Sequence, residues 1–216
     1  MDPSVNAHEQ RRRRRDGENT HGLILEEATR IASVEGLDGL TIGRLAEALG
    51  VSKSGVYAHF GSKDKLQLET IGAAQEIFER EVMASAFAAP PGIARIKALG
   101  GAYLSYIERL VFPGGCFFAS LLAEMDARSG PVHDALLAGE RAFIQGLEEM
   151  VREGQRLGEI DCEADPGQVA FEVQAAIELA NYHFVLFRDP LDLERARRAI
   201  AGAIERAHLG RAPQEL

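Results

Sequence analysis

The chain has 216 residues, a formal net charge of −9, 46% hydrophobic and 26% charged side chains. That is ordinary globular composition and excludes wholesale disorder. No run of ~18 apolar residues offers a transmembrane helix. The five arginines near the N-terminus are not followed by an apolar stretch with a cleavage site, so the chain reads as cytoplasmic, without a signal peptide.

Two cysteines, Cys116 and Cys162, stand far apart, with no CxxC or Cys/His ligand spacing. Neither a disulfide framework nor a metal site is expected, and no cofactor. The charge is uneven. Residues 1–70 hold 10 basic and 11 acidic side chains, whereas residues 71–216 hold 14 and 22. The acidity sits in the second part. The first part is nearly neutral and can still present a basic face, which is what nucleic-acid binding requires.

Residues 1–20 are polar and aperiodic and read as a disordered basic tail. Arg11–Arg15 is either a solvated run or an arm for phosphates or a minor groove. From Thr20 onward the pattern is helical almost throughout, which predicts an all-α fold. Leu23, Ile24, Ala28, Ile31 and Ala32 mark one face of a first helix that stops near Gly36. Thr41 is an N-cap for a second helix with Ile42, Leu45, Ala46 and Leu49 on its apolar face, closed by Gly50. A short third helix spans roughly Lys53 to His59. Gly61-Ser62 breaks it, and a long helix over 63–86, roughly 35 Å, leads to Pro90-Pro91.

Beyond that boundary five helices are predicted: Ile93–Phe112, Cys116–Ala127, Val132–Gln155, Pro166–Phe187 and Asp192–His208. The domains are therefore a tail over 1–20, a three-helix unit over 21–66, and a helical domain over 67–216, with helix 63–86 linking the last two.

Two short helices joined by a glycine turn can place the second in a DNA major groove. Lys53, Ser54 and Tyr57 fall on one face, while Val56 points back toward Leu45 and Leu49. Lys53 can donate to guanine or phosphate, Ser54 can reach a base edge, and Tyr57 and His59 can donate to phosphate oxygens. Thr41, Ser62 and Lys63 sit at helix N-termini that favour a phosphate. Structural readings stand beside these: Thr41 caps a helix with or without DNA, Tyr57 or His59 can be packing residues, and Gly55 either contacts DNA or lets two helices approach.

The segment Leu40–Leu66 carries Gly-Val-Ser-(x)4-Tyr-x-His-Phe-x-Ser-Lys-x-x-Leu and resembles the DNA-binding segment of tetracycline-repressor-type (TetR/AcrR) regulators over about residues 21–70. The resemblance implies an all-helical homodimer with an N-terminal helix-turn-helix domain and a C-terminal domain that binds a small molecule and dimerises. It implies DNA contacts from Thr41, from Ser52, Lys53, Ser54 and Gly55 at the base-reading turn, and from Tyr57, His59 and Lys63 on the backbone. At Ile42-Gly43 the chain departs from the polar or basic residue that many members carry there.

In the C-terminal part, helix 166–187 has two apolar stripes: Val169, Val173, Ala176, Ile177, Ala180, Phe184 and Phe187, and Phe171, Ala175, Leu179, Tyr182 and Leu186. One stripe can pack on its own domain and the other on a partner. Helix 192–208 has the stripe Leu193, Ala196, Ile200, Ala203, Ile204 and Ala207, whose alanines permit close approach. A four-helix dimer interface from these two helices is predicted. It would set two recognition helices about 34–36 Å apart on a near-palindromic operator.

A ligand cavity would draw on Tyr103, Tyr106, Phe112, Phe117, Phe118, Met125, Phe143 and Phe171, each of which also suits plain core. Glu124, Glu178, Asn181 and His183 are either ligand-orienting groups or surface and interface residues. Cys116 is either a sensor thiol or a buried small hydrophobe. No nucleophile elbow, phosphate loop or HExxH motif supports an enzyme. The leading reading is a ligand-responsive repressor. A helical enzyme or carrier, or an architectural DNA-binding protein without a ligand, are the alternatives.

Overall fold

A computed structural model describes the backbone of residues 3–125 and 129–208, and the side chains of residues 20–122, 124 and 129–208. All regular structure among the described residues is helical. Helix α1 is bounded Pro3–Gly39, followed by α2 Ile42–Leu49, α3 Lys53–Phe60 and α4 Lys63–Phe78. The backbone assignment thus carries helix through residues 3–20, where a tail is expected. The side chains of Arg11–Arg15 lie outside the described residues. At Gly36 the helical path is broken (φ 74°, ψ 173°), at the expected stop of the first helix.

Local chemistry explains the N-terminal unit. The Oγ atoms of Thr41, Ser52 and Ser62 accept from the backbone N–H groups of Arg44, Gly55 and Lys65, each at 3.1 Å. These caps satisfy otherwise orphaned donors at three successive helix starts and contribute about 1 kcal/mol each. Gly50 and Gly61 close α2 and α3 in the left-handed region. Ile31, Leu37, Leu40, Leu45, Val56, Phe60 and Leu66 are buried together, so α3 is anchored by Val56 and Phe60.

Helix α4 runs on through one π-helical turn, Glu79–Met83, into α5 Ala84–Ala88. Helices α6 Ile93–Glu108, α7 Phe117–Met125, α8 Pro131–Arg156, α9 Pro166–Phe187 and α10 Leu191–His208 complete the chain. Helix α6 stops at Glu108, four residues before the predicted Phe112. Leu110 adopts a left-handed conformation (φ 50°), with Leu110 N–H donating to Ile107 O and Val111 N–H to Tyr106 O. That is a Schellman stop built without glycine, and it frees Phe112 to turn into the core, where it is 2% exposed.

Helices α6, α9 and α10 form the main C-terminal core. Gly100 on α6 lets α10 come close: a Cβ there would lie 3.0 Å from Ile200 Cδ1. The stripe Leu193, Ala196, Ile200, Ala203, Ile204 and Ala207 on α10 is buried within this same chain. It is therefore the helix's own core face, not the partner-facing one expected from the sequence. Its alanines allow tight packing on α9 and α6. Along α9, Val169, Val173, Ile177, Ala180 and Phe184 are buried, while Phe171, Leu179, Tyr182 and Leu186 are 55–68% exposed. Phe187 also faces out, against its placement in the inner stripe. No helix among the described residues is long and apolar enough to cross a membrane.

Candidate nucleic-acid interface and effector cavity

The N-terminal turn of α3 projects from the fold. Ser52, Lys53, Ser54, Gly55, Tyr57 and Ala58 are exposed, and Tyr57 shows 57% of its surface. Thr41 is exposed beside them as the cap of α2. The packing reading of Tyr57 thus falls away. So does close helix approach at Gly55, since a Cβ there would meet only Ser52 Oγ, at 3.2 Å. Ser52 and Ser54 share a hydroxyl–hydroxyl bond of 3.1 Å, which fixes the turn.

The unusual Gly43 has a local reason. A Cβ there would lie 3.3 Å from Lys53 Cε and 3.4 Å from Nζ, so the bare backbone of α2 gives the Lys53 side chain room to lie across it. Arg44, next in sequence, is engaged by Glu35 through Nε and Nη2 at 2.7–3.1 Å. The hydrogen bond to Arg44 holds the Glu35 carboxyl below its usual range.

His59 and Lys63 have structural partners. The His59 ring is half-buried, 5.5 Å from His21 and 6.2 Å from Phe60. His21 in turn bonds Glu69 at 2.7 Å. Lys63 Nζ donates to the backbone carbonyl of Asp38 at 3.4 Å and stands 3.7 Å from its carboxylate. Lys63 remains 44% exposed, so its ammonium is held at the rim of the surface rather than buried.

The turn after Gly36 is gripped from two sides. Gln67 of α4 donates to Leu37 O at 2.5 Å. Glu124 of α7 accepts the backbone N–H groups of Leu37 and Asp38 at 2.9 and 3.0 Å. Glu124, read from the sequence as either a ligand-orienting or an interface group, ties the C-terminal helices to the helix-turn-helix unit.

A cavity of about 920 Å³ opens among α4, the π-turn, α6, α7 and α8. Tyr103, Phe118 and Phe143 line it. Tyr106, Phe112 and Phe117 are buried core beside it, and the Met125 side chain lies outside the described residues. Phe171 and Glu178 are exposed on α9. Asn181 is buried and accepts the Cys116 N–H at 2.8 Å, which pins the loop before α7. His183 stands 3.2 Å from Asp192 and ties α9 to α10. Asn181 and His183 thus serve the scaffold, and none of these α9 residues is among the cavity-lining side chains.

Residues missing from the sequence reading complete the cavity: Phe78, Met83, Leu122, Leu136 and Glu140, with Glu76, Glu79 and Arg80 at its mouth. Phe78 is the hub of the rings, with centroids 5.1 Å from Tyr103 and 5.9 Å from both Phe118 and Phe143, all edge-on. Its helical spacing from the buried Ile71 and Ala74 was a usable signal; the π-turn that brings in Met83 left none. The Tyr103 hydroxyl lies 2.9 Å from Cys116 Sγ. Burial pushes both groups above their ordinary values, which makes Cys116 an inert buried thiol rather than a sensor. Burial likewise pushes Glu140 up, opposed by a hydrogen bond from Gln174 and reinforced by the charge of Glu178.

Residues 24–70 match the family model of bacterial regulatory proteins of the tetR family, and residues 92–200 match that of the tetracyclin repressor-like C-terminal domain. The chain belongs to the TetR family. A crystallised TetR transcriptional regulator from Chloroflexus aurantiacus is 26% identical, with a TM-score of 0.82 over 88% of this chain and 96% of that one.

SCO4454, a TetR-family regulator from Streptomyces coelicolor, shares the fold at 23% identity and a TM-score of 0.73, over 88% and 97% of the two chains. So does AibR, solved with isovaleryl coenzyme A and operator DNA, at 20% identity and a TM-score of 0.67, over 84% and 96%. The transcriptional repressor AcnR of Corynebacterium efficiens is 44% identical over 50 residues, 23% of this chain and 27% of that repressor. That stretch is only about a quarter of its length. The TetR fold accounts for the layout seen here: a short N-terminal reading unit carried by α4 on a larger helical body.

Proposed function

We propose that this TetR-family protein is a ligand-responsive transcriptional repressor that binds a near-palindromic operator as a homodimer in the cytoplasm and has no catalytic role. One observation carries the reading: the first turn of α3 stands clear of the fold while Val56 and Phe60, on its other side, are buried. Lys53, Ser54 and Gly55 read base edges, with Ser52 setting the turn. Thr41, Tyr57, His59 and Lys63 hold the phosphates.

The exposed stripe Phe171, Leu179, Tyr182 and Leu186 on α9 supplies the apolar dimer surface, beside α10, which packs on α9. The cavity receives the effector. Its walls include α4, which carries the reading unit, and Phe118 and Leu122 of α7, just before Glu124. An effector seated there displaces α4 and α7 relative to each other and moves the gripped Leu37–Asp38 turn. A coupling of about 1–3 kcal/mol suffices to release DNA.

The test begins with selection of bound sequences from a random duplex pool, followed by gel-shift titration. Lys63→Ala is expected to weaken binding about tenfold and lower the salt slope by about one. Tyr57→Phe weakens binding without changing the slope, since its hydroxyl carries no charge. Unchanged titrations for both variants would refute the assigned contacts.

A further inference from the structure

The charge of the cavity constrains what enters it. Three carboxylates line it, Glu76, Glu79 and Glu140, against one guanidinium, Arg80. Arg80 is already engaged: its Nε lies 3.2 Å from Glu81, a residue outside the lining that also pairs with Arg109 at 2.9 Å. Among the described residues Glu76 and Glu79 have no basic partner. Glu140 is half-buried, receives only the neutral amide of Gln174, and feels a further carboxylate at Glu178. Among the described residues the lining therefore carries an excess of negative charge that no ion pair to these three carboxylates compensates.

Behind these carboxylates stand four aromatic rings, Phe78, Tyr103, Phe118 and Phe143, with apolar surface from Met83 and Leu122. A cation over a ring face is attracted by the ring quadrupole, the more so once desolvated. An anionic ligand would meet three like charges against the single guanidinium of Arg80, which among the described lining residues is the one cation and is already paired with Glu81. A neutral apolar ligand would leave the carboxylates facing it unpaired, at a desolvation cost.

We propose that the effector is an organic cation, an amine or quaternary ammonium borne on an apolar body, with the charge set between the carboxylates of the mouth and the ring-lined interior. This rests on the cavity being the effector site. Its size suits a drug-sized molecule.

The test uses three probes with one ring system and different charge: naphthylmethyl-trimethylammonium, naphthylmethanol and naphthylacetate. The chain contains no tryptophan, so naphthalene fluorescence reports binding with little interference. The cation should bind at one site per chain, about tenfold tighter than the alcohol, with the acetate weakest. In the triple variant Glu76→Gln, Glu79→Gln, Glu140→Gln, the cation should lose its tenfold advantage while the alcohol binds as before. Folding of the variant is checked by its melting curve. The proposal is overturned if the acetate or alcohol binds as well as the cation, if none of the three binds, or if the triple variant keeps the cation preference. A cation that binds as expected yet leaves operator binding untouched would uphold the ligand class and refute release of DNA by this cavity. A preferred anion that does release the operator would do the reverse.

Discussion

The two working surfaces of this protein are built on different length scales. The surface proposed to face DNA comes from residues 41–63, shaped by three side-chain caps and two glycine stops, each acting within three or four residues. The cavity draws its walls from Gly72 to Phe143, five helical elements whose approach is set by distant packing. A surface made by short-range rules is rigid and transferable. One made by long-range packing is responsive, because a displacement in any wall reaches the others. Because α4 packs under α3 and also walls the cavity, the proposed function would join a fixed reader to a deformable sensor.

The largest expected effect breaks the link between the two readers of a dimer. Leu179→Asp with Tyr182→Asp puts charges in the centre of the exposed α9 stripe. Light scattering should then show a monomer, and operator affinity should fall about a hundredfold or more through lost bivalency. The α3 unit should keep its helicity. A dimeric variant would place the partner surface elsewhere.

Gly55→Ala probes the reader alone. Its Cβ would lie 3.2 Å from the Ser52 hydroxyl that caps α3, which must give by a fraction of an ångström, against about 1 kcal/mol by which alanine favours helix. The melting temperature should hold or rise, while operator binding drops if the backbone sits close to a base. Retained binding would reduce Gly55 to a bystander.

Glu124→Gln addresses the joint. A neutral amide accepts one backbone N–H where the carboxylate accepts two. About 1 kcal/mol of stability is lost, and effector-driven release weakens while effector binding itself persists. Equal loss of both would make Glu124 part of the cavity wall instead.

The smallest effect sharpens the sensor side. Because the folded state raises the Glu140 pKa, its contribution to stability is full at low pH, below the unfolded value, and is lost as pH rises through the folded one. Glu140→Gln should therefore melt higher than the parent at neutral pH, with the gap closing near pH 4. A gap that does not depend on pH would show a packing effect rather than a titration.

These length scales also explain what the sequence made legible. Thr41, Ser52, Ser62, Gly50 and Gly61 act on their immediate neighbours, so the helix-turn-helix and its exposed turn were readable from order alone. The stop at Glu108 was not, because leucine rarely adopts the left-handed conformation that Leu110 holds. Both stripes of α9 were visible, yet periodicity does not say which packs inward. The alanines of α10 suit a partner helix and their own core equally, and the core took them. In the cavity, aromatic residues were the right type, but only packing separates Phe143, which lines it, from Phe117, which does not. For Asn181 and Glu124 the sequence left ligand and interface roles equally open, because an acceptor for a backbone amide 65 or 87 positions away leaves no local trace.

The π-turn at Glu79–Met83 has a consequence for how this helix tolerates insertion and deletion. A π-turn holds one residue more than an α-turn over nearly the same rotation and rise. Removing one residue from it would restore ordinary winding and leave the helix beyond, with the fully covered Ala86, close to its present seat. The same deletion in the regular part of α4 would rotate everything after it by about 100° and draw it back by about 1.5 Å. One-residue gaps between related chains should therefore gather at Glu79–Met83 and avoid the regular turns on either side.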